Sequence, residues 1–517
     1  MSYMLHGQIE RGPIMKSKLR MASLLLLFVT LVLKVSGLIR DMLITNYFGA
    51  GSEADAYYAA FALPNMFILF LTTGMKSAFV PSYIKYKEKD RGLAHLQDVW
   101  KGTLLFSLLI SIVFIFIAPL YIGLLYPNLA GDNAQMATIM TIIFLSSLSF
   151  VGVNAVLEAY FDAENRYYLS VLAQAIVLLG TIGSALLFAD EIGAYAFAFG
   201  NLAGVILSLL FKLVLLLPKR TLSLRGRIDW AENKQFYRIF IPVALTAMIG
   251  QITLLIDNSF ANMLGSSFVT YLNTAKNLTQ FPQNIVGVSI GTIVFPLLAA
   301  AYAKQDMAGF KANITRGLQI MYFVLLPVLT GMMLLMPEIV SLLFERGNFT
   351  SHDVGETSTA AYYYFGTILF YSLVIIINNG FYTMEKGHYM MRLGFLSIGL
   401  KFLLNYLFTE SFGFIGIPLS TSVTGLVYAT ACFLLFRKLT GGIPVREMLT
   451  DVAKTTAGVL IMGGAVLLIK AMLGDAQPIL TILICAAAGV IVFLICVFLM
   501  KIKSFYILLG RGGSAAE

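Results

Sequence analysis

Residues 33–81 read LKVSGLIRDMLITNYFGAGSEADAYYAAFALPNMFILFLTTGMKSAFVP, two long apolar stretches with charges set inside them. Lys34, Arg40 and Asp41 interrupt the first stretch and Lys76 the second. A charge at the centre of a bilayer costs about 2.5–3.5 kcal/mol on insertion scales, so such residues face a wet cavity or a partner. Lys34, Gly37 and Asp41 fall on one helical face. That spacing predicts a cationic wall, with Asp41 orienting or balancing Arg40. A structural Arg40–Asp41 pair near the membrane surface, with Lys34 reaching along the helix to water, is the competing reading. Asp55 opens the second stretch, where it either complements a helix dipole or faces the same cavity. Lys76 either joins the cationic wall or reaches toward the cytoplasmic surface.

Outward from this segment the whole chain is apolar. Hydrophobic residues make up 58% of the 517 and charged residues 12%, which excludes an ordinary soluble enzyme. Apolar runs of about 20 residues, each able to cross a hydrocarbon core of roughly 30 Å, recur from end to end. The polar gaps between them are too short for a folded soluble domain. The net charge of +9 sits in short loops, so it does not indicate nucleic acid. Cys432, Cys485 and Cys496 all lie in apolar stretches and read as small buried hydrophobes rather than disulfide or metal ligands. The basic N-terminus followed by an apolar run from Met21 lacks a small-residue cleavage site and reads as the first membrane helix.

Fourteen apolar windows are counted, the first at 20–46 and the last at 478–500, in an all-α integral membrane protein. Lys85, Lys87, Lys89, Arg91 and Lys101 follow the second window, and Lys219, Arg220, Arg225, Arg227 and Lys234 the sixth. Loops after odd-numbered windows hold one basic residue, Arg346. Lys and Arg in short loops stay cytoplasmic, which predicts an even number of spans and both termini in the cytoplasm. Prolines recur at matching places: Pro64 and Pro81 in the second window, Pro282 and Pro296 in the eighth. The pattern predicts two pseudo-symmetric six-helix lobes plus two C-terminal helices, a transporter plan with substrate bound between the repeats. The expected boundaries are a cytoplasmic tail 1–19, a first lobe 20–217, a linker 218–235, a second lobe 236–438, helices thirteen and fourteen in 439–503, and a tail 504–517.

In the second lobe, Asp257 and Asn258 lie late in the seventh span, and Lys276 and Asn277 early in the eighth. Lys276 is the second lobe's expected contribution to a cationic pocket. Glu158 and Lys401 are further intramembrane candidates, whereas Lys212 and Lys470 sit near span ends and read as snorkelling. No Walker A, H-E-x-x-H or G-x-S-x-G motif is present, and the four histidines map to loops or the tail. A transporter without catalytic or metal chemistry is expected.

S-G-L-I-R-D at Ser36–Asp41, F-G-A-G-x-x-A-D-A at Phe48–Ala56, L-P-N at Leu63–Asn65 and A-F-V-P at Ala78–Pro81 together resemble the MurJ/MviN family. Others are F-P-x-x-x-x-G-V-x-x-G-T-I-x-x-P at Phe281–Pro296, L-F-E-R-G-N-F-T at Leu343–Thr350 with Asp353 beyond, and G-F-Y at Gly380–Tyr382. The resemblance implies a fourteen-helix member of the multidrug/oligosaccharidyl-lipid/polysaccharide exporter superfamily. It implies a flippase that carries lipid II, the undecaprenyl-pyrophosphate-linked peptidoglycan precursor, across the bacterial cytoplasmic membrane by alternating access. By the same resemblance, a cationic cavity takes the pyrophosphate and a groove by the last two helices takes the lipid tail. Membrane potential or an ion gradient drives the cycle with no cofactor, and cell-wall synthesis machinery is a partner. Arg40, Asp41 and Asp55 match charged positions of the family pattern. Lys34 stands where the family usually has arginine, keeping charge but losing the bidentate fork. The chain has Met66-Phe67-Ile68-Leu69 where the family often has an arginine pair, and Asn277 where it has another arginine. Lys76 and Lys276 are the candidate replacement charges. The expected substrate set is thus Lys34, Arg40, Asp41, Asp55, Lys76, Lys276 and Asn277.

Because these departures fall in the head-group pocket, a flippase for another undecaprenyl-linked glycan, an exopolysaccharide or teichoic-type unit, is the alternative. A cation-coupled multidrug exporter is a third reading, opposed by the predominance of basic residues over acids.

Overall fold

A segment in hydrocarbon must satisfy its own backbone hydrogen bonds, and the described residues are helical with no strand. The computed structural model describes residues 37–129, 131–216, 228–443, 445–474 and 476–509. Lys34, the expected tail 1–19 and most of the 218–235 linker lie outside the described residues.

The chain begins with α1 (37–48), α2 (Ser52–Lys87), α3 (Gly92–Leu125), α4 (Asp132–Ser146), α5 (Leu148–Ala163), α6 (Tyr167–Ile192) and α7 (Tyr195–Leu216). It continues with α8 (Trp230–Leu264), α9 (Phe268–Thr279), α10 (Val288–Ala303), α11 (Met307–Leu334), α12 (Met336–Phe344) and α13 (Ser351–Thr383). It closes with α14 (Gly387–Phe412), α15 (Gly416–Leu439), α16 (Val445–Leu473), α17 (Pro478–Met500) and the short α18 (Lys503–Leu508). Twelve stretches among the described residues are long and apolar enough to cross a membrane. One of them, Gly387–Leu439, holds two helices, α14 and α15, that meet at Gly413–Ile415. With α1 added, the set accounts for the fourteen spans counted in the sequence.

Several helices depart from single uninterrupted rods. The fourth span is two helices, α4 and α5, that meet at Ser147, whose amide and hydroxyl both donate to Phe144 O at 3.1 and 2.7 Å. The eighth is broken between α9 and α10 by a π-turn over Gln283–Gly287. Pro282 precedes that turn and has no N–H to donate, so the helix widens to re-satisfy its carbonyls. In contrast α2 runs unbroken through Pro64 and Pro81. Three histidines expected in loops are helical instead: His95 lies in the first turn of α3, His352 in that of α13 and His388 in that of α14. The helices begin earlier than the apolar windows, because helical pairing extends beyond the hydrophobic stretch. His95 is buried there, stacked on Phe79 and Tyr86, with Nδ1 2.5 Å from Glu232 Oε1.

The repeat is visible in the backbone. Asn165 and Glu385, with φ of 59° each, precede α6 and α14, and each of those helices has 26 residues. Gly193 and Gly413, with φ of 59° and 60°, end them at matching places. The two six-helix repeats are therefore pseudo-symmetric in local structure as well as in proline placement.

Lipid tails are as apolar as leucine, so helices associate through close packing rather than through the hydrophobic effect. The α6–α7 hairpin uses small residues for this. A Cβ on Gly200 would stand 2.5 Å from Ser184 Cβ, and one on Gly180 2.8 Å from Gly204 Cα. The final helices dock on α11 through Phe323, Val459, Met462, Phe493, Val497 and Ile502. Cys432, Cys485 and Cys496 are all buried free thiols.

By contacts the chain forms two compact units. The first gathers the described part of 1–43 with Phe67–Ile117 and Met140–Ala247. The second gathers Ile44–Met66, Ala118–Ile139 and Met248 onward. Helices α1, α2, α3, α4 and α8 supply residues to both.

Candidate functional site

In the first unit, α1 presents Arg40 and Asp41 together. Arg40 Nε and Nη2 donate to Asp41 Oδ1 at 3.1 and 2.8 Å. Asp41 is 2% exposed and Arg40 20%, so the carboxylate is buried while the guanidinium is partly exposed. The contact is the one that both the orienting and the structural-pair readings require.

Lys76 of α2 does not stand alone. Its Nζ is 3.2 Å from Asp162 Oδ2 and 3.9 Å from Glu158 Oε2, both on α5. Lys212 of α7 corrects the snorkelling expectation. It is fully buried, with Nζ 2.8 Å from Glu158 Oε1 and 2.6 Å from Asn154 Oδ1. Gln174 donates to Glu158 Oε2 at 2.8 Å and Ser170 to Asp162 Oδ1 at 2.7 Å. Two ammonium groups and two carboxylates thus form one charge-balanced network spanning α2, α5, α6 and α7. Lys76 is its exposed end at 37%. An anion arriving there meets a lysine whose charge is already largely compensated.

In the second unit, α9 carries Lys276, half-buried, and Asn277, exposed. Among the described residues no carboxylate lies within 4.0 Å of Lys276 Nζ, which distinguishes it from Lys76, Lys212, Lys401 and Lys470. Beside it on α9, Asn273 donates to Asn258 Oδ1 at 3.0 Å. Among the described residues, Asn258 Nδ2, Thr274 Oγ1 and Tyr364 Oη are buried with no hydrogen-bond partner. These are buried polar groups with hydrogen-bonding capacity to spare.

Lys401 of α14 and Asp257 of α8 form a second buried pair, 2.7 Å apart and each 1% exposed. Ile417 O at 3.2 Å, Ser420 Oγ at 2.8 Å and Thr421 Oγ1 complete the ammonium's shell. Asn405 donates to the same Asp257 oxygen at 2.9 Å. Lys470, in the last turn of α16 and 29% exposed, bonds Leu334 O at 2.9 Å and pairs with Glu338 at 2.7 Å.

Asp55 is placed by the structure at a helix start, but not only its own. Its carboxylate accepts from the amide of Ser267 at 2.7 Å and from the amide and hydroxyl of Thr270 at 2.8 and 2.6 Å. It therefore caps the N-terminus of α9, where the helix dipole favours an anion. Of the expected set, Arg40, Asp41 and Lys76 belong to the first unit, and Asp55, Lys276 and Asn277 to the second. The partners Gln174, Ser420 and Thr421 were not signalled by the sequence, because a hydroxyl or amide in an apolar helix is unremarkable until a charge is found beside it; Asp162, past the end of the fourth apolar window, reads there as a loop charge.

An apolar cavity of about 360 Å³ opens between α11, α12, α16 and α17. Pro327, Met332, Ile339, Met462, Cys485 and Phe493 are among its lining residues.

A family model described as lipid II flippase MurJ matches residues 44–499, through both repeats and the last two helices. The chain belongs to the MurJ family. Its relatives span most of its length. A Thermotoga maritima protein described as a probable lipid II flippase MurJ is 27% identical over 485 residues, covering 93% of this chain and 96% of its own. A Burkholderia cenocepacia lipid II flippase MurJ is 26% identical, covering 79% and 82%. A solved structure titled lipid II flippase MurJ, inward closed conformation, superposes with a TM-score of 0.80 over 94% of this chain and all of that one, at 24% identity. An inward-facing multidrug resistance transporter of the MATE family shares the fold at a TM-score of 0.65 and 15% identity. Family membership places the chain among multi-pass transporters of the bacterial inner membrane.

Proposed function

We propose that this protein moves lipid II from the inner to the outer leaflet of the cytoplasmic membrane by exposing its polar head alternately to each side. The family match across residues 44–499 carries this reading. The site chemistry is consistent with it. A pyrophosphate carries concentrated negative charge, and Lys276 is a half-buried cation with no carboxylate within 4.0 Å among the described residues, on the same helix as buried polar groups that have hydrogen-bonding capacity to spare. Arg40, held in position by Asp41, is the corresponding donor on the first repeat, and guanidinium–phosphate bonds are among the strong charge-assisted kind. Lys76 binds an anion only by exchange with Asp162, which makes it a weaker contributor. Asp55 is assigned to capping α9 rather than to touching the substrate.

The apolar cavity between α11, α12, α16 and α17 suits an isoprenoid tail, which needs dry, flexible walls and no hydrogen bonds. With basic loops in the cytoplasm, both termini face inward and the cycle runs on membrane potential or an ion gradient. The two six-helix repeats, 20–217 and 236–438, are the moving lobes in this reading. The deciding experiment replaces the native lipid II flippase with this protein in depleted bacterial cells. Restored growth and restored lipid II exposure at the outer leaflet are expected. Failure with confirmed membrane insertion assigns the cargo to another lipid-linked glycan.

A further inference from the structure

Asn128 and Asn348 join the two sequence repeats, at helix ends that carry Asn262 and Asn46, in a pattern that the repeat itself reproduces. Asn46 lies two residues before the end of α1, and Asn262 two residues before the end of α8. Each of these helices opens its own repeat. Asn348, in the loop after α12, donates its backbone amide to Asn46 O at 3.1 Å and its side-chain amide to Tyr47 O. Asn128, in the loop after α3, donates its side-chain amide to Asn262 O at 2.8 Å and Met263 O at 3.0 Å, and its backbone amide to Asn262 Oδ1 at 3.0 Å. In both cases the loop of one repeat binds the last carbonyls of the first helix of the other.

Physical need explains the residue type. The last four carbonyls of a helix have no intrahelical donor, and an asparagine side chain brings an NH2 group that can serve neighbouring acceptors. Close backbone approach is built in on one side. Gly347 and Gly49 have φ of 57° and 60°, and a Cβ on them would stand 2.2 Å from Asn46 O and 2.5 Å from Asn348 O. Asn46 and Asn262 lie at the ends of odd-numbered spans and Asn128 and Asn348 in loops that follow such spans, on the face opposite the Lys- and Arg-rich loops. Asn128 and Asn348 are exposed, so water can replace their bonds at small net cost.

We propose that Asn46–Asn348 and Asn128–Asn262 form a paired latch, gating residues that hold this face closed and must release for the cargo to leave through it. The proposal rests on the alternating-exposure reading above. It is tested in full-length protein in proteoliposomes with the double variants Asn46→Cys with Asn348→Cys and Asn128→Cys with Asn262→Cys. Oxidation is expected to cross-link each pair and slow translocation of fluorescent lipid II at least about tenfold, with recovery on reduction. Failure of either pair to cross-link, or translocation by the cross-linked protein at the reduced rate, overturns it. A second measurement needs no lipid II. Spin labels at Pro127 and Met263, both exposed, report the separation across one latch. In an Asn128→Ala, Asn348→Ala background the ratio of long-distance to short-distance populations is expected to rise about tenfold. An unchanged ratio overturns the latch. A changed ratio in a protein that fails to move lipid II upholds the latch and rejects the cargo.

Discussion

Lys276 and Lys76 look alike in the sequence, a single lysine in an apolar helix, yet their surroundings divide their roles. Lys76 meets Asp162 at 3.2 Å, whereas Lys276 has no carboxylate within 4.0 Å among the described residues. Lys276→Ala is therefore expected to slow lipid II translocation about 30-fold, the consequence of losing a charge-assisted contact of about 2 kcal/mol. Lys276→Arg should retain most of the rate; a proteoliposome flipping assay on both variants checks this, and an unaffected Lys276→Ala protein would remove Lys276 from the site. Lys212 belongs to the other class. Lys212→Met leaves Glu158 buried beside Asn154 and Gln174 without its closest cation, and breaking a buried pair costs about 3–5 kcal/mol. Thermal unfolding in detergent should show that loss. The double variant Lys212→Met, Glu158→Gln should recover much of it, because no buried charge is then left uncompensated. Apolar context announced these lysines in the sequence. Their partners, from helices distant along the chain, did not announce themselves.

Among the elements, the α6–α7 hairpin and the break between α9 and α10 make contrasting demands. The hairpin needs close approach: Gly200→Leu places a branched side chain where Ser184 Cβ would stand 2.5 Å from the new Cβ. Overpacking of this kind costs about 1–3 kcal/mol, and a lowered melting temperature with normal membrane insertion is the expected result. The break needs a missing donor. Pro282→Ala restores an N–H ahead of the π-turn and should favour a straight α9–α10 helix. Folding should be maintained and translocation reduced several-fold; equal rates for the two proteins would show that the bend serves packing alone. Proline spacing made the repeat legible, but identical prolines had different outcomes. Pro64 and Pro81 lie in an unbroken α2, and Pro282 lies at an interruption, because tertiary neighbours decide whether the freed carbonyl is re-satisfied in a helical or a widened turn.

At the scale of the whole molecule, a polar head and an isoprenoid tail need different solvents within one protein, and the described residues offer both. The polar cluster around Lys276 and the apolar cavity of about 360 Å³ between α11, α12, α16 and α17 are separate features of the second unit. Ala486→Trp fills that cavity without touching a charge. It is expected to raise the lipid II concentration needed for half-maximal translocation about tenfold while leaving the melting temperature nearly unchanged, since the added ring occupies empty space. A lipid-tail photocross-link to Met462 or Phe493 should fall in parallel; an undiminished cross-link would place the tail elsewhere.

The sequence by itself determined the membrane-spanning all-α class, the fourteen spans, the repeat and the cationic residues. Each follows from a local cost: unpaired backbone in lipid, charge in hydrocarbon, proline in a helix. Only the tertiary structure decided which charges are neutralised. Asp55 became the cap of α9, Lys212 and Lys401 became buried pairs, and Arg40 stayed partly exposed beside a buried Asp41. The Leu33–Pro81 segment announces its charges because they are costly where they stand, but an ion pair is a property of two distant positions. Only folding brings them within a few ångströms.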